Sequence, residues 1–298
     1  MFYRRSLTCP RFPKQCNSGG NCLKCRFCRF QLCVEAGLCI VPAVPKEATP
    51  SVFSVIHYLK ELDADRVHTF MNSLVTQDEL DHFILSDSVA YTKRPQNYQP
   101  TFQQWIYLSC STSVDFIKRL ETVNFLSKSE TFHLVKNSYR FHITLCVAMC
   151  SFNRRLETIE FPGGVDTNPP ELTAYYKDCP EVLNRFKGFL LSKVRELKVT
   201  NEEFILLSAI IICNPASLTL SPDSQSHVGR YQKFFSSSLF QYCLTTYQRN
   251  GPTRFTELLS LIPIIFKTIS DFDNFLIPML AVEEDFEKRT YFEQLYSI

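Results

Sequence analysis

Seven of the chain's thirteen cysteines (Cys9, Cys16, Cys22, Cys25, Cys28, Cys33 and Cys39) fall within its first 39 residues. A stretch this short has too little apolar surface for a core, so cysteines at that density must hold it by cross-links or by a metal. The same residues carry seven Lys/Arg against one acid, Glu35, a net charge of +6. The remaining 259 residues carry 25 bases and 29 acids, a net of −4. A small basic head therefore precedes a large, slightly acidic body.

Disulfides would suit a short secreted chain, and metal ligation an intracellular one. The N-terminus, MFYRRSLTCPRF, contains no apolar secretory core. The body cysteines (Cys110, Cys146, Cys150, Cys179, Cys213 and Cys243) lie mostly in apolar surroundings, as reduced core thiols do. The head is accordingly read as a metal site, with tetrahedral zinc the default for four thiolates. Cys25 and Cys28 form a C-x2-C pair, which Cys9 and Cys16 complete as a four-cysteine set. Cys22 also stands in C-x2-C relation to Cys25, so a register using Cys22 in place of Cys16 is the alternative. From Arg26 to Ala36 the apolar residues recur at helical spacing up to Gly37, and Arg26 and Arg29 flank Cys28 as phosphate-gripping cations.

The run CRFCRFQLCVEAGL resembles the end of the second zinc module of nuclear hormone receptors, whose pattern is CRxCRxxKCxxxGM. Leu32 and Leu38 depart from that pattern's lysine and methionine. Phe2 to Leu7 is similar to the FFRRS/T tail of the family's DNA-recognition helix, and the Phe-rich sequence suggests the nematode-type branch. The resemblance implies DNA-phosphate contacts for Arg4, Arg5, Arg26 and Arg29. It also implies a partial DNA-binding domain over residues 1–39, lacking the first zinc module that reads base edges. Two expectations follow: a DNA-binding transcription regulator of the nucleus, or a receptor-like interaction protein that acts through dimerisation or coregulator binding without its own base readout.

Residues 40–50 hold three prolines and read as a hinge. The body, 51–298, reads as all-α. Glycine is scarce, and boxes of the type S/T-x-x-E stand at Thr76–Glu79, Ser127–Glu130 and Thr200–Glu203 before apolar-periodic runs. Val182, Phe186, Phe189/Leu190, Val194 and Leu197 form a further helical stripe. Phe204 to Cys213 is apolar all round, which predicts a helix buried on every side and too short to cross a membrane. Phe161-Pro-Gly-Gly interrupts the helices as a turn or short hairpin.

Phe116-Ile117-Lys118, with Val123, Leu126, Glu130-Thr131 and Leu134-Val135, is similar to the signature of the family's ligand-binding domain. The resemblance implies a helical sandwich around an apolar cavity, for an unknown apolar small molecule or none, with homo- or heterodimer partners. It implies a groove for coregulator helices whose clamp would be Lys118 and, from the C-terminal helix, Glu293. Gln294 stands where the family has its glutamate. Arg140 and His142, polar residues on an otherwise apolar helix, are the candidate ligand anchors. No G-x-S-x-G, phosphate-cradling glycine loop or HExxH motif points to an enzyme.

A head built on zinc should unfold with its metal. Excess chelator is expected to make residues 1–39 protease-sensitive while the helical body keeps its circular dichroism. An ordered, protease-resistant head in chelator would contradict the zinc reading.

Overall fold

The computed structural model describes residues 51–75, 80–86, 88–216, 219–285, 289 and 293, apart from the side chains of Leu80, Val182, Arg185, Phe186 and Lys187. The cysteine-rich head, the proline hinge and the Thr76–Glu79 box lie outside them. All described residues belong to the unit Pro50–Ile298.

This body is helical, as its sequence pattern implies. In chain order its elements are α1 (Val52–Asn72), β1 (Ser73–Val75), α2 (Leu80–Leu85), β2 (Tyr91–Lys93), α3 (Phe102–Lys118), α4 (Lys128–Asn153), β3 (Glu160–Phe161) and β4 (Val165–Asp166). There follow α5 (Pro170–Tyr175), α6 (Pro180–Leu197), α7 (Asn201–Ile212), α8 (Pro222–Tyr247), α9 (Gly251–Leu259) and α10 (Leu261–Val282). β1 and β2 pair antiparallel, with Leu74 opposite Thr92; β3 and β4 form a minimal hairpin. That hairpin turns at Gly163 and Gly164, whose φ values of +86° and +78° suit glycine.

α4 and α7 form the interior. α4 packs against α3, α6, α7 and α10, and α7 against α1, α4 and α8. All ten residues from Glu203 to Ile212 of α7 are buried, which is why that segment shows no polar face. Among the described side chains of α6, Leu183, Leu190, Leu191 and Val194 are buried, while Phe189 is 41% exposed, so of the pair Phe189/Leu190 it is Leu190 that faces the core; the side chains of Val182 and Phe186 lie outside the described ones.

Local chemistry starts the three longest-range contributors to this core. Thr101–Gln104, Ser127–Glu130 and Thr200–Glu203 form reciprocal capping boxes on α3, α4 and α7. Two of these glutamates also reach far beyond their own helix. Glu130 Oε1 accepts from the Ser221 hydroxyl (2.7 Å) and backbone N–H (3.2 Å) at the start of α8. These hydroxyl bonds, with those from Ser224 and Ser127, hold its carboxyl well below the usual range. Glu203 is fully buried and receives Arg254 at both oxygens, Nε to Oε1 at 2.7 Å and Nη2 to Oε2 at 2.6 Å. Arg254 Nη1 also donates to the Leu197 carbonyl at the end of α6 (2.7 Å), and its guanidinium lies over the Tyr247 ring at 5.3 Å. Hydrogen bonds to Glu203 raise the Arg254 pKa still further, so the charge is permanent. Gly251 lets α9 approach α8 at this point: a Cβ there would meet the Cys243 carbonyl oxygen at 2.8 Å.

Removing one partner of a buried pair leaves an uncompensated charge in the core. Arg254→Met is therefore expected to destabilise the body by about 3–5 kcal/mol, read as a lowered urea midpoint. The E203Q/R254M double variant should lose less than the two single changes summed, since no bare carboxylate remains.

Candidate functional site

α3, α4, α10 and the β3–β4 hairpin enclose an apolar cavity of about 150 Å³. α4 contributes Tyr139, Arg140, Ile143, Thr144 and Val147, residues that recur on one helical face. α3 supplies Ile106, Ser109 and Cys110; α10 supplies Thr268, Ile269 and Phe272; the hairpin region supplies Ile159, Phe161, Thr167 and Asn168. A second void of about 50 Å³ shares Ser109, Ile143, Val147 and Phe161 with it and continues toward Arg66, Cys146 and Cys150.

The lining hydroxyls are already engaged. Ser109 donates to the Trp105 carbonyl (2.8 Å), Thr144 to Arg140 (2.8 Å), Thr268 to Ile264 (2.8 Å) and Thr167 to Ile159 (3.3 Å). The Cys110 thiol is pushed up to about 12 by burial and stays protonated. Asn168 differs. It is buried, its backbone N–H donates to Asp166 Oδ1 at 2.9 Å, and its side-chain Nδ2 has no hydrogen-bond partner among the described residues. An amide donor buried without an acceptor costs about 1–3 kcal/mol. Asn168 also lines an open groove outside the cavity, beside Thr173 and Lys177.

The two candidate anchors part company. Arg140 does line the cavity, but it forms a two-pronged ion pair with Asp273 of α10, Nη1 to Oδ2 at 3.0 Å and Nη2 to Oδ1 closer still. Its charge is matched within the protein. His142 does not line the cavity. It is buried, stacks on Phe116 with ring centroids 4.7 Å apart, and sets Nε2 3.4 Å from the Cys146 sulfur. Burial, with a smaller contribution from the Arg66 charge, lowers its pKa well below 6.5, so it is neutral. The sequence signal for both was the same, a polar residue on an apolar helix; only the fold separates them. Asn168 carried no comparable signal.

Lys118 is the last residue of α3. Its ammonium donates to the carbonyls of Ile84 (3.2 Å), Phe83 (3.4 Å) and, closest, Ser86. These are carbonyls of the last turn of α2 and of the residue just past it, so Lys118 caps that helix. Phe83 and Ile84 are buried, Phe83 meeting Tyr107 of α3 edge-on at 6.4 Å. Asp81 pairs with Lys136 of α4 at 3.2 Å. Glu293 accepts from Arg289 Nε at 2.9 Å; residues 290–292 and 294–298, with Gln294 among them, lie outside the described residues. So do Cys9, Cys16, Cys22, Cys25 and Cys28 and the four head arginines. Among the described residues no His/Cys/Asp/Glu group is arranged to hold a metal, and no helix is long and apolar enough to cross a membrane.

A sequence model of the ligand-binding domain of nuclear hormone receptor matches residues 93–276. The chain is 31% identical to nuclear hormone receptor family member nhr-167 of Caenorhabditis elegans, over 96% of this chain and 87% of that protein. It is likewise 31% identical to nhr-27 of the same organism, over 91% and 78% respectively, and 30% identical to nhr-9, over 91% and 81%.

The state of His142 sets a pH dependence. Its folded pKa is lowered from the ordinary 6.5, so below that pH the unfolded chain takes up a proton that the folded one refuses. Stability should therefore fall as pH drops below about 6.5, by up to roughly 1.4 kcal/mol per unit. His142→Phe, which keeps the stack on Phe116, is expected to flatten this slope in urea titrations between pH 7.5 and pH 5. The part due to His227, also lowered by burial, should remain.

Proposed function

The chain belongs to the nuclear hormone receptor family, and on that premise we propose that it is a ligand-responsive regulator that works bound to DNA in the nucleus. It is a nuclear receptor-type transcription regulator and not an enzyme. The observation that carries ligand response is the apolar cavity walled by α3, α4 and α10, inside the matched domain.

The cavity's chemistry narrows what would fill it. Arg140 is matched by Asp273, so a carboxylate ligand would compete with an existing partner. Asn168 Nδ2 instead offers an unused donor to a carbonyl or ether oxygen. In the head, Cys9, Cys16 (or Cys22), Cys25 and Cys28 would hold zinc, which would supply structure rather than reactivity. Arg4, Arg5, Arg26 and Arg29 would grip phosphates. Coregulator helices and a second receptor chain are the partners that family membership suggests, with Lys118 and Glu293 at the coregulator groove.

Zinc-loaded full chain, titrated with receptor half-site DNA and with scrambled DNA over a salt series, tests this reading. The expected result is binding whose affinity falls steeply with salt, because the named contacts are to phosphates; a preference for the half-site would add base readout to the proposal. Four arginine–phosphate contacts correspond to a log–log slope of about −3.6, and R26A/R29A should reduce it by about 1.8. Equal affinity for both DNAs would favour a receptor-like protein without its own base readout; no binding would remove DNA from the proposal altogether.

A further inference from the structure

We propose that α2 is an internal occupant of the coregulator groove, and that a partner helix must displace it to bind. This rests on the reading of Lys118 as a groove residue and adds its regulation.

The contacts of α2 are those of a docked peptide helix. In the sequence, Phe83 and Ile84 follow Leu80 by three and four positions, the anchor spacing of an amphipathic helix lying in a groove. Phe83 and Ile84 are 3% and 4% exposed, and α2 packs against both α3 and α4. At its start, Asp81 faces Lys136; at its end, Lys118 caps the carbonyls. A helix of six residues is not stable in isolation, so docking is what holds it.

Exclusion follows from the valence of one ammonium. Lys118 has three N–H donors, and they reach the carbonyls of Phe83 and Ile84 in α2 and of Ser86 just past its end. The carbonyls at the end of a partner helix need that same group. Only one helix is capped at a time, and the tethered one holds the seat at high effective concentration. The partner chemistry that fits copies α2: apolar residues at i, i+3 and i+4, and an acid in the first turn.

The test uses zinc-loaded full chain and a fluorescein-labelled synthetic peptide of residues 78–90. F83D/I84D undocks α2 while leaving Lys118 and the α3–α4 surface intact. The peptide is expected to bind F83D/I84D at least about tenfold tighter than the wild-type chain, because the competing state is removed. Adding Lys118→Ala should abolish that gain. Equal affinity for wild type and F83D/I84D overturns the internal-occupant proposal but leaves the groove standing. No binding to either, or indifference to Lys118→Ala, removes the groove reading itself and the proposal with it. If F83D/I84D does not fold, hydrogen exchange on the wild-type chain decides. Saturating peptide should deprotect the α2 amides, and unchanged protection overturns the displacement.

Discussion

The Glu203–Arg254 pair is where the helical body is tied together. One guanidinium holds the first turn of α7 through both carboxylate oxygens, the end of α6 through the Leu197 carbonyl, and the end of α8 through the face of Tyr247, while itself belonging to α9. A buried ion pair is poor evidence of net stability, since desolvation offsets much of the attraction. What it does impose is arrangement: four helix ends must meet at one point for the charge to be tolerated. α7 then has its direction fixed at the polar end, and its apolar remainder can run through the interior without a solvent face.

The same economy recurs at Glu130. Each of these glutamates closes a capping box with one carboxylate oxygen and also reaches a distant segment: Glu130 gives its other oxygen to Ser221, and Glu203 takes Arg254 on both. This explains what could be read from sequence and what could not. The boxes at Ser127 and Thr200 are local, three residues wide, and legible; so is the all-apolar run that becomes α7. The second use of each carboxylate links residues 91 and 51 positions apart and leaves no local trace. Lys118 shows the same division. Its place could be recognised from the motif around it, but the carbonyls it caps lie 32 to 35 residues upstream. Arg140 stood out as a charge on an apolar helix, whereas its neutralisation by Asp273 exists only once α4 and α10 are packed together. The cysteines proposed to hold zinc and the head arginines lie outside the described residues.

The cavity illustrates selection by what is already satisfied. Its polar lining is considerable by residue count, yet three hydroxyls bond back to a carbonyl of their own helix, Thr167 bonds across the hairpin, and Arg140 is paired. To an incoming molecule the walls present an apolar surface with a single amide donor. A volume of about 150 Å³ is of the size that accommodates one aromatic ring. Larger ligands would require the neighbouring void near Arg66 to join it, through the Ser109, Ile143, Val147 and Phe161 side chains that the two share.

Asn168 lines that cavity and the open groove beside Thr173 and Lys177 at once. At this point one side chain borders both the interior space and the open groove. Turning a side chain is a nanosecond event, and shifting a helix is slower by orders of magnitude. The residue therefore bears on residence time as well as affinity: an acceptor that bonds the amide also steadies the side chain that stands between the cavity and the groove.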